Sequence, residues 1–242
     1  MATHPGVAHV AVSREQRFLR TTSQTACSSA PKCQNHPVTW TEPESRIERI
    51  GEGIAILIGI VVLVWAIELI DVLLPVNLDS LGIRPRRLWS LPRIVIAPFL
   101  HVGFSHVAAN TVPFIVLGGL TMTRGIRTFF TVSAIAALSS GLAIWLMGRA
   151  NSVHLGLSGV IFGYLGYLLF RAFVDRKPSS ILIMIVVLAL FSGTLWGLVP
   201  GQRGVSWLGH FFGFLGGIAA AVYLGDDEDD AEIQRSDQAN RG

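Results

Sequence analysis

Residues 54–70 read IAILIGIVVLVWAIELI. In this run of 17 residues a single side chain, Glu68, is charged. Such a helix has no polar face to offer water. It is close to the ~20 residues that cross a ~30 Å hydrocarbon core at 1.5 Å per residue. Five more blocks of the same kind follow, at about Ile94–Met122, Phe129–Met147, Leu157–Val174, Ile181–Val199 and Val205–Leu224. Polar or basic breaks separate them at Thr123-Arg124, Arg149 to Ser152, Arg171 to Ser180 and Pro200 to Gly204. The composition agrees, with 51% hydrophobic and 14% charged residues and a mean hydropathy of +0.53. A soluble domain carries about 25% charged residues, so a water-soluble globular fold is excluded. The expectation is an all-α polytopic membrane protein, a bundle of six transmembrane helices over residues 51–225. Residues 1–50, rich in Ser, Thr, Pro and charge, are expected to be a disordered cytoplasmic tail. Residues 226–242, opening on Asp226-Asp227-Glu228-Asp229-Asp230, are expected to be an acidic cytoplasmic tail.

The net charge of +3 comes from 19 Lys and Arg spread along the chain. A nucleic-acid partner requires a clustered basic footprint, so none is expected. The basic residues serve instead as topology signals. With six spans, the side that holds both termini carries 13 of them and the other side 6. Both termini are therefore expected in the cytoplasm of a cell-membrane protein, with Arg46 and Arg49 bearing most of the weight of the N-terminal segment. The long connection from Val72 to Arg93 contains Pro75, Pro85, Pro92, Trp89 and four arginines. It is expected to lie in the membrane interface on the outer side, anchored by Trp89. The N-terminal residues contain no apolar core of a signal peptide. Cys27, Cys33 and His36 have neither the spacing nor the ligand count of a zinc site.

Polar side chains inside spans are functional candidates, because hydrocarbon does not solvate them. Span two holds His101, His106 and Asn110, the last two four apart and so on one helix face. Span four opens on Gly156-Leu157-Ser158-Gly159, and span six holds His210 after Gly209. Spans two, four and six all enter from the outer side, which brings these groups to one depth in the outer leaflet. Gly159 and Gly163 on span four, and Gly213 and Gly217 on span six, are small-xxx-small pairs that permit close backbone approach. A serine and a histidine on different helices need that approach to hydrogen-bond. Phe162, one turn after Ser158, is positioned to pack on the His210 ring.

This set spells nucleophilic acyl transfer. His210 takes the proton of Ser158, and the serine oxygen attacks a carbonyl. Asn110, His106 and the Ser158 N–H are the candidate donors to the resulting oxyanion. Neither Glu68 nor Asp175 is placed to orient His210, so a dyad is expected instead of a triad. His101, five residues from His106, is expected to face elsewhere and to be structural. His154 is expected to pack in a loop. Gly201 and Gly204 make Pro200–Ser206 a candidate mobile cap. The alternative reading is non-enzymatic: a transporter or metal binder lined by His101, His106 and His210, with no use for Ser158.

The pattern resembles the rhomboid family of intramembrane serine proteases. The resemblance rests on His101-x4-His106-x3-Asn110 in span two, Gly156-x-Ser158-Gly159 in span four and His210-x2-Gly213-x3-Gly217 in span six. Gly82-Ile83-Arg84-Pro85-Arg86 and Ala97-Pro98-Phe99-Leu100-His101 also look like bacterial rhomboids, and the likeness covers roughly residues 50–225. It implies a six-helix protease without metal or other cofactor, acting on transmembrane protein substrates near their outer end, in contact with membrane lipid. Small residues at the cut and helix-breaking residues in the substrate span are what the family leads one to expect. The resemblance places the nucleophile on Ser158, the base on His210 and the oxyanion site on Asn110 and His106. A non-proteolytic, chaperone-like member of the family is a further alternative. One departure is the loop after span one. Many bacterial members have a Trp-Arg pair there, whereas Trp89 follows Arg86-Arg87 and precedes Ser90.

Overall fold

A computed structural model describes the backbone at residues 42–74, 77–202 and 204–240, and side chains within residues 48–225 of these. Cys27, Cys33, His36 and most of the expected N-terminal tail lie outside the described residues. The described residues from Ser45 onward form one compact unit. The helices of the described residues are α1 (Glu42–Leu73), the short α2 (Arg93–Ile96), α3 (Phe104–Met122), α4 (Ile126–Met147), α5 (Ser158–Asp175), α6 (Pro178–Phe191) and α7 (Trp207–Asn240). Six helical stretches are long and apolar enough to span a membrane: Glu48–Leu73, Phe104–Met122, Ile126–Met147, Ser158–Asp175, Pro178–Leu198 and Trp207–Gly225. Among the described residues no strand occurs, and extended pairing is confined to an isolated antiparallel bridge between Ile83 and His154. The chain is an all-α polytopic bundle, as its apolar blocks require.

Several boundaries differ from the sequence expectation, among them the end of the sixth span, where α7 continues past Leu224 to Asn240. The helix of the first span starts at Glu42, inside the stretch expected to be disordered. The second apolar block is not one helix. Residues 93–99 form α2 and a 3-10 turn, Leu100 is extended, and α3 starts only at Phe104. Gly103, with φ +83°, makes the break, a backbone conformation that favours glycine. Hydropathy alone does not register such a bend, because both arms are apolar. The fifth span changes from α6 to a tighter 3-10 coil at Ser192–Leu198.

The fourth span, α5, is the most buried of the six. It packs most closely against α7 and α4. Glycines set that distance. A Cβ at Gly213 would strike the Gly159 carbonyl, and one at Gly217 the Gly163 carbonyl. A Cβ at Gly166 would strike the backbone of Phe214. The two helices thus touch backbone to backbone, as the paired glycines lead one to expect. Aromatic rings fill the other side of α5: Phe129 stacks on Tyr164 at 5.4 Å and meets Phe114 edge-on at 6.3 Å.

The far end of α5 is closed by charge. Asp175 Oδ2 lies 2.7 Å from Arg124 Nη2 and accepts the Ser180 hydroxyl at 2.6 Å. Asp175 Oδ1 lies 2.6 Å from Arg171 Nε. The Asp175 side chain is 3% exposed, so this is a buried pair whose geometry must offset desolvation. It ties α5 to α6 and to the turn between α3 and α4.

Gly217→Ala should lower the unfolding midpoint in detergent, at a cost of about 1–3 kcal/mol. Gly59 of α1 has nothing within 4 Å of a Cβ. Gly59→Ala should leave stability unchanged or raise it by up to ~1 kcal/mol. Equal midpoints for the two variants would contradict the backbone contact.

Candidate active site

Ser158 is the first residue of α5, and the residue before it offers no side-chain cap. The end of the helix therefore presents backbone N–H groups and the positive end of its dipole. The turn leading into it is held from behind. Gly156 N–H donates to the Ala97 carbonyl at 2.9 Å, and Leu157 N–H donates to His101 Nε2 at 3.4 Å. Gly156 has φ +112°, and a Cβ there would lie 2.8 Å from the His106 ring. Both the backbone and the space call for glycine at that position.

His210 stands in the first turn of α7. Its Nε2 lies 2.8 Å from Ser158 Oγ, and its Nδ1 lies 3.0 Å from the Gly197 carbonyl oxygen. A carbonyl only accepts, so Nδ1 carries the proton. Nε2 of the neutral ring is then bare and accepts the Ser158 hydroxyl. The Phe162 ring stacks on the imidazole at 4.3 Å and 14°. The expected packing of Phe162 on His210 is present, and the ring is fixed on one face and at both nitrogens.

His106 lies against Gly156, two residues before Ser158. Its Nδ1 accepts the Val102 N–H at 3.4 Å, so its proton is on Nε2 and is available for donation. Asn110 is buried one turn on, and its amide donates to the His106 carbonyl at 3.2 Å. The structure brings His106 to the serine turn, and among the described residues it forms no hydrogen bond between Asn110 and Ser158. His101 corrects an expectation. It sits in the break before α3, and its ring meets the His106 ring edge-on at 5.0 Å. The assumption of a continuous helix had turned it away. Its bond to Leu157 N–H is the structural role expected. His154 packs between loops, also as expected. Gly159, Gly213 and Gly217 form the helix contact described above. Arg203 of the Pro200–Ser206 loop lies outside the described residues.

The loop after α1 is tied to α4 by hydrogen bonds that do not involve Trp89. Trp89 is exposed, with the Arg93 guanidinium 4.3 Å above its ring. Arg86 Nη1 donates to the Gly148 carbonyl at 2.9 Å, and Trp145 Nε1 donates to the Arg87 carbonyl at 2.9 Å. Among the described residues no three His, Cys, Asp or Glu side chains group as metal ligands.

A rhomboid domain model matches residues 86–227. The chain belongs to the rhomboid family. An uncharacterized protein of Mycobacterium tuberculosis (strain ATCC 25618 / H37Rv) is 37% identical over 214 residues, which is 85% of this chain and 89% of that protein. An uncharacterized protein of Mycobacterium leprae (strain TN) is 37% identical over 78% of this chain and 77% of its own. Rhomboid protease GluP of Bacillus subtilis (strain 168) is 29% identical over 55% of this chain and 26% of its own. Membership and the six apolar helices together make this rhomboid a multi-pass membrane protein.

Sequence reasoning missed the Gly197 carbonyl, because a backbone acceptor leaves no side-chain signature. It missed Ala97 for the same reason. A faint signal existed at Gly197, a glycine near the end of the fifth span. A Cβ there would lie 2.7 Å from Phe162 Cζ and 3.0 Å from His210 Nδ1. Gly197→Ala should therefore lower the reactivity of Ser158 toward a fluorophosphonate by about 10²-fold, through a misplaced ring. Gly193→Ala, with nothing within 4 Å, should react like the wild type. Equal labelling of the two variants would remove Gly197 from the site.

Proposed function

We propose that this rhomboid is an intramembrane serine endopeptidase that cleaves transmembrane protein substrates through a Ser158–His210 dyad. The observation that carries the reading is the 2.8 Å approach of His210 Nε2 to Ser158 Oγ, with the ring proton held on the other nitrogen by Gly197. Ser158 Oγ attacks the scissile carbonyl carbon while its proton passes to His210 Nε2. The oxyanion is received by the Ser158 N–H, the His106 Nε2–H and the Asn110 amide. The tetrahedral intermediate collapses as His210 protonates the leaving amine. Water then attacks the acyl-enzyme, giving its proton to His210, and Ser158 leaves with that proton restored. Gly156, Gly159, Phe162, Gly213 and Gly217 support this set by geometry alone. The steps use no cofactor. Similarity to a protein named as a rhomboid protease supports the same activity.

The distribution of basic residues supports cytoplasmic termini. The Ser158 end of α5 then faces the outer leaflet, and cleavage falls near the outer end of the substrate span. The reading as a His-lined transporter or metal binder is weaker, because Ser158 and His210 are bonded to each other and the histidines among the described residues do not group as ligands.

Fluorophosphonate labelling of the purified protein is the deciding measurement. The wild type should label, and Ser158→Ala should not. Ser158→Ala and His210→Ala should each lower cleavage of a transmembrane reporter by ~10⁴-fold or more while still inserting. Asn110→Ala should cost about 10²–10³-fold. Wild-type cleavage by Ser158→Ala would overturn the dyad.

A further inference from the structure

Outside the dyad, a second serine–histidine contact joins two loops at the same end of the bundle. His154 lies in the connection between α4 and α5. Its backbone is bonded both ways to Ile83, at 2.8 Å and 3.0 Å. Its side chain is bonded at both ring nitrogens. Nε2 lies 2.8 Å from Ser152 Oγ, and Nδ1 lies 2.8 Å from Ser206 Oγ.

The protons in this chain can be placed. Ser152 has one hydroxyl hydrogen and donates it to the Arg149 carbonyl at 2.7 Å. Ser152 Oγ therefore accepts from His154, whose proton is on Nε2. Nδ1 of the neutral ring is bare, and the Ser206 hydroxyl donates to it. Burial pushes the His154 imidazole below its ordinary pKa of 6.5, which keeps the ring neutral at pH 7.

Ser206 is the residue before α7, and its carbonyl accepts the His210 N–H at 3.0 Å. Its hydroxyl also rests on the first turn of that helix, where a Cβ at Gly209 would lie 3.2 Å from Ser206 Oγ. A helix end fixed only by its own hydrogen bonds frays. Here the first turn is held from outside by His154, and His210 stands on that turn. His154, Ser206, Ser158 and His210 also line one cavity of about 30 Å³.

We propose that His154 is a positioning residue for His210: through the Ser206 hydroxyl it pins the first turn of α7 and so aims His210 Nε2 at Ser158. The proposal rests on the dyad reading above. It assigns to His154 no contact with substrate.

The test uses the full-length protein in detergent micelles, with ring-¹⁵N histidine, as wild type, His154→Phe, Ser206→Ala and the double variant. The wild-type spectrum should contain, in addition to that of His106, an Nε2–H tautomer that disappears in His154→Phe. The His210 ring resonances should shift in both single variants. Reporter kcat should fall about tenfold in each, with KM within about twofold, since a displaced base costs turnover and not binding. The double variant should lose no more than either single one, because both remove the same contact. Ser206→Thr, which keeps the hydroxyl, should restore the resonances and kcat. Unshifted His210 resonances in both variants, or losses that add in the double variant, overturn the proposal. A wild type that neither labels nor cleaves overturns the protease reading instead, and the resonance shifts still decide whether His154 positions His210.

Discussion

Everything at the Ser158 end of this bundle depends on two helices that meet without side chains between them. Hydrocarbon gives apolar helix faces little reason to prefer each other over lipid, so association rests on close packing and polar contacts. Between α5 and α7 the Gly159 and Gly163 carbonyls occupy the places that side chains of residues 213 and 217 would fill. That spacing is what lets a residue as short as serine reach a histidine on the neighbouring helix at 2.8 Å. A bundle held apart by alanine or leucine would keep both residues and lose their bond.

The central helix divides its duties between its two ends. Its N-terminus is uncapped by side chains, which leaves backbone donors beside Ser158. Its C-terminus is closed by the buried Asp175 with Arg124, Arg171 and Ser180. The ends are about 26 Å apart at 1.5 Å per residue. The open, polar end is where chemistry is proposed, and the paired charges that lock neighbouring elements are remote from it. The turn into Ser158 is supported separately, by the Ala97 carbonyl and His101 on the bent segment before α3.

Much of this was legible in the residues. Uninterrupted apolar runs show spans, because nothing else tolerates so few charges. The glycine pairs and Phe162 were readable because four-residue spacing fixes a helix face, and the structure has them packed as that spacing requires. Two kinds of information were out of reach. The break at Leu100–Gly103 lies within a continuous apolar block, and it moved His101 from a helix face onto the serine turn. Contacts made by main-chain carbonyls, at Ala97 and Gly197, depend on where loops fold back and not on which side chains they carry. The Ser206–His154 bond joins residues 52 positions apart, and neither residue type signals the other.

The carbonyl that receives the His210 ring has a further consequence. Where an acidic side chain orients a catalytic histidine, replacing that side chain exposes its role. The Gly197 oxygen belongs to the main chain, so every amino acid at that position supplies it. Alanine scanning finds the position only through the bulk it adds against Phe162. The orienting group also has no protonation state of its own, so acid does not remove the acceptor. A chain of this design is protected from losing its orienting acceptor by point mutation, and it loses it when the 3-10 coil that carries Gly197 moves.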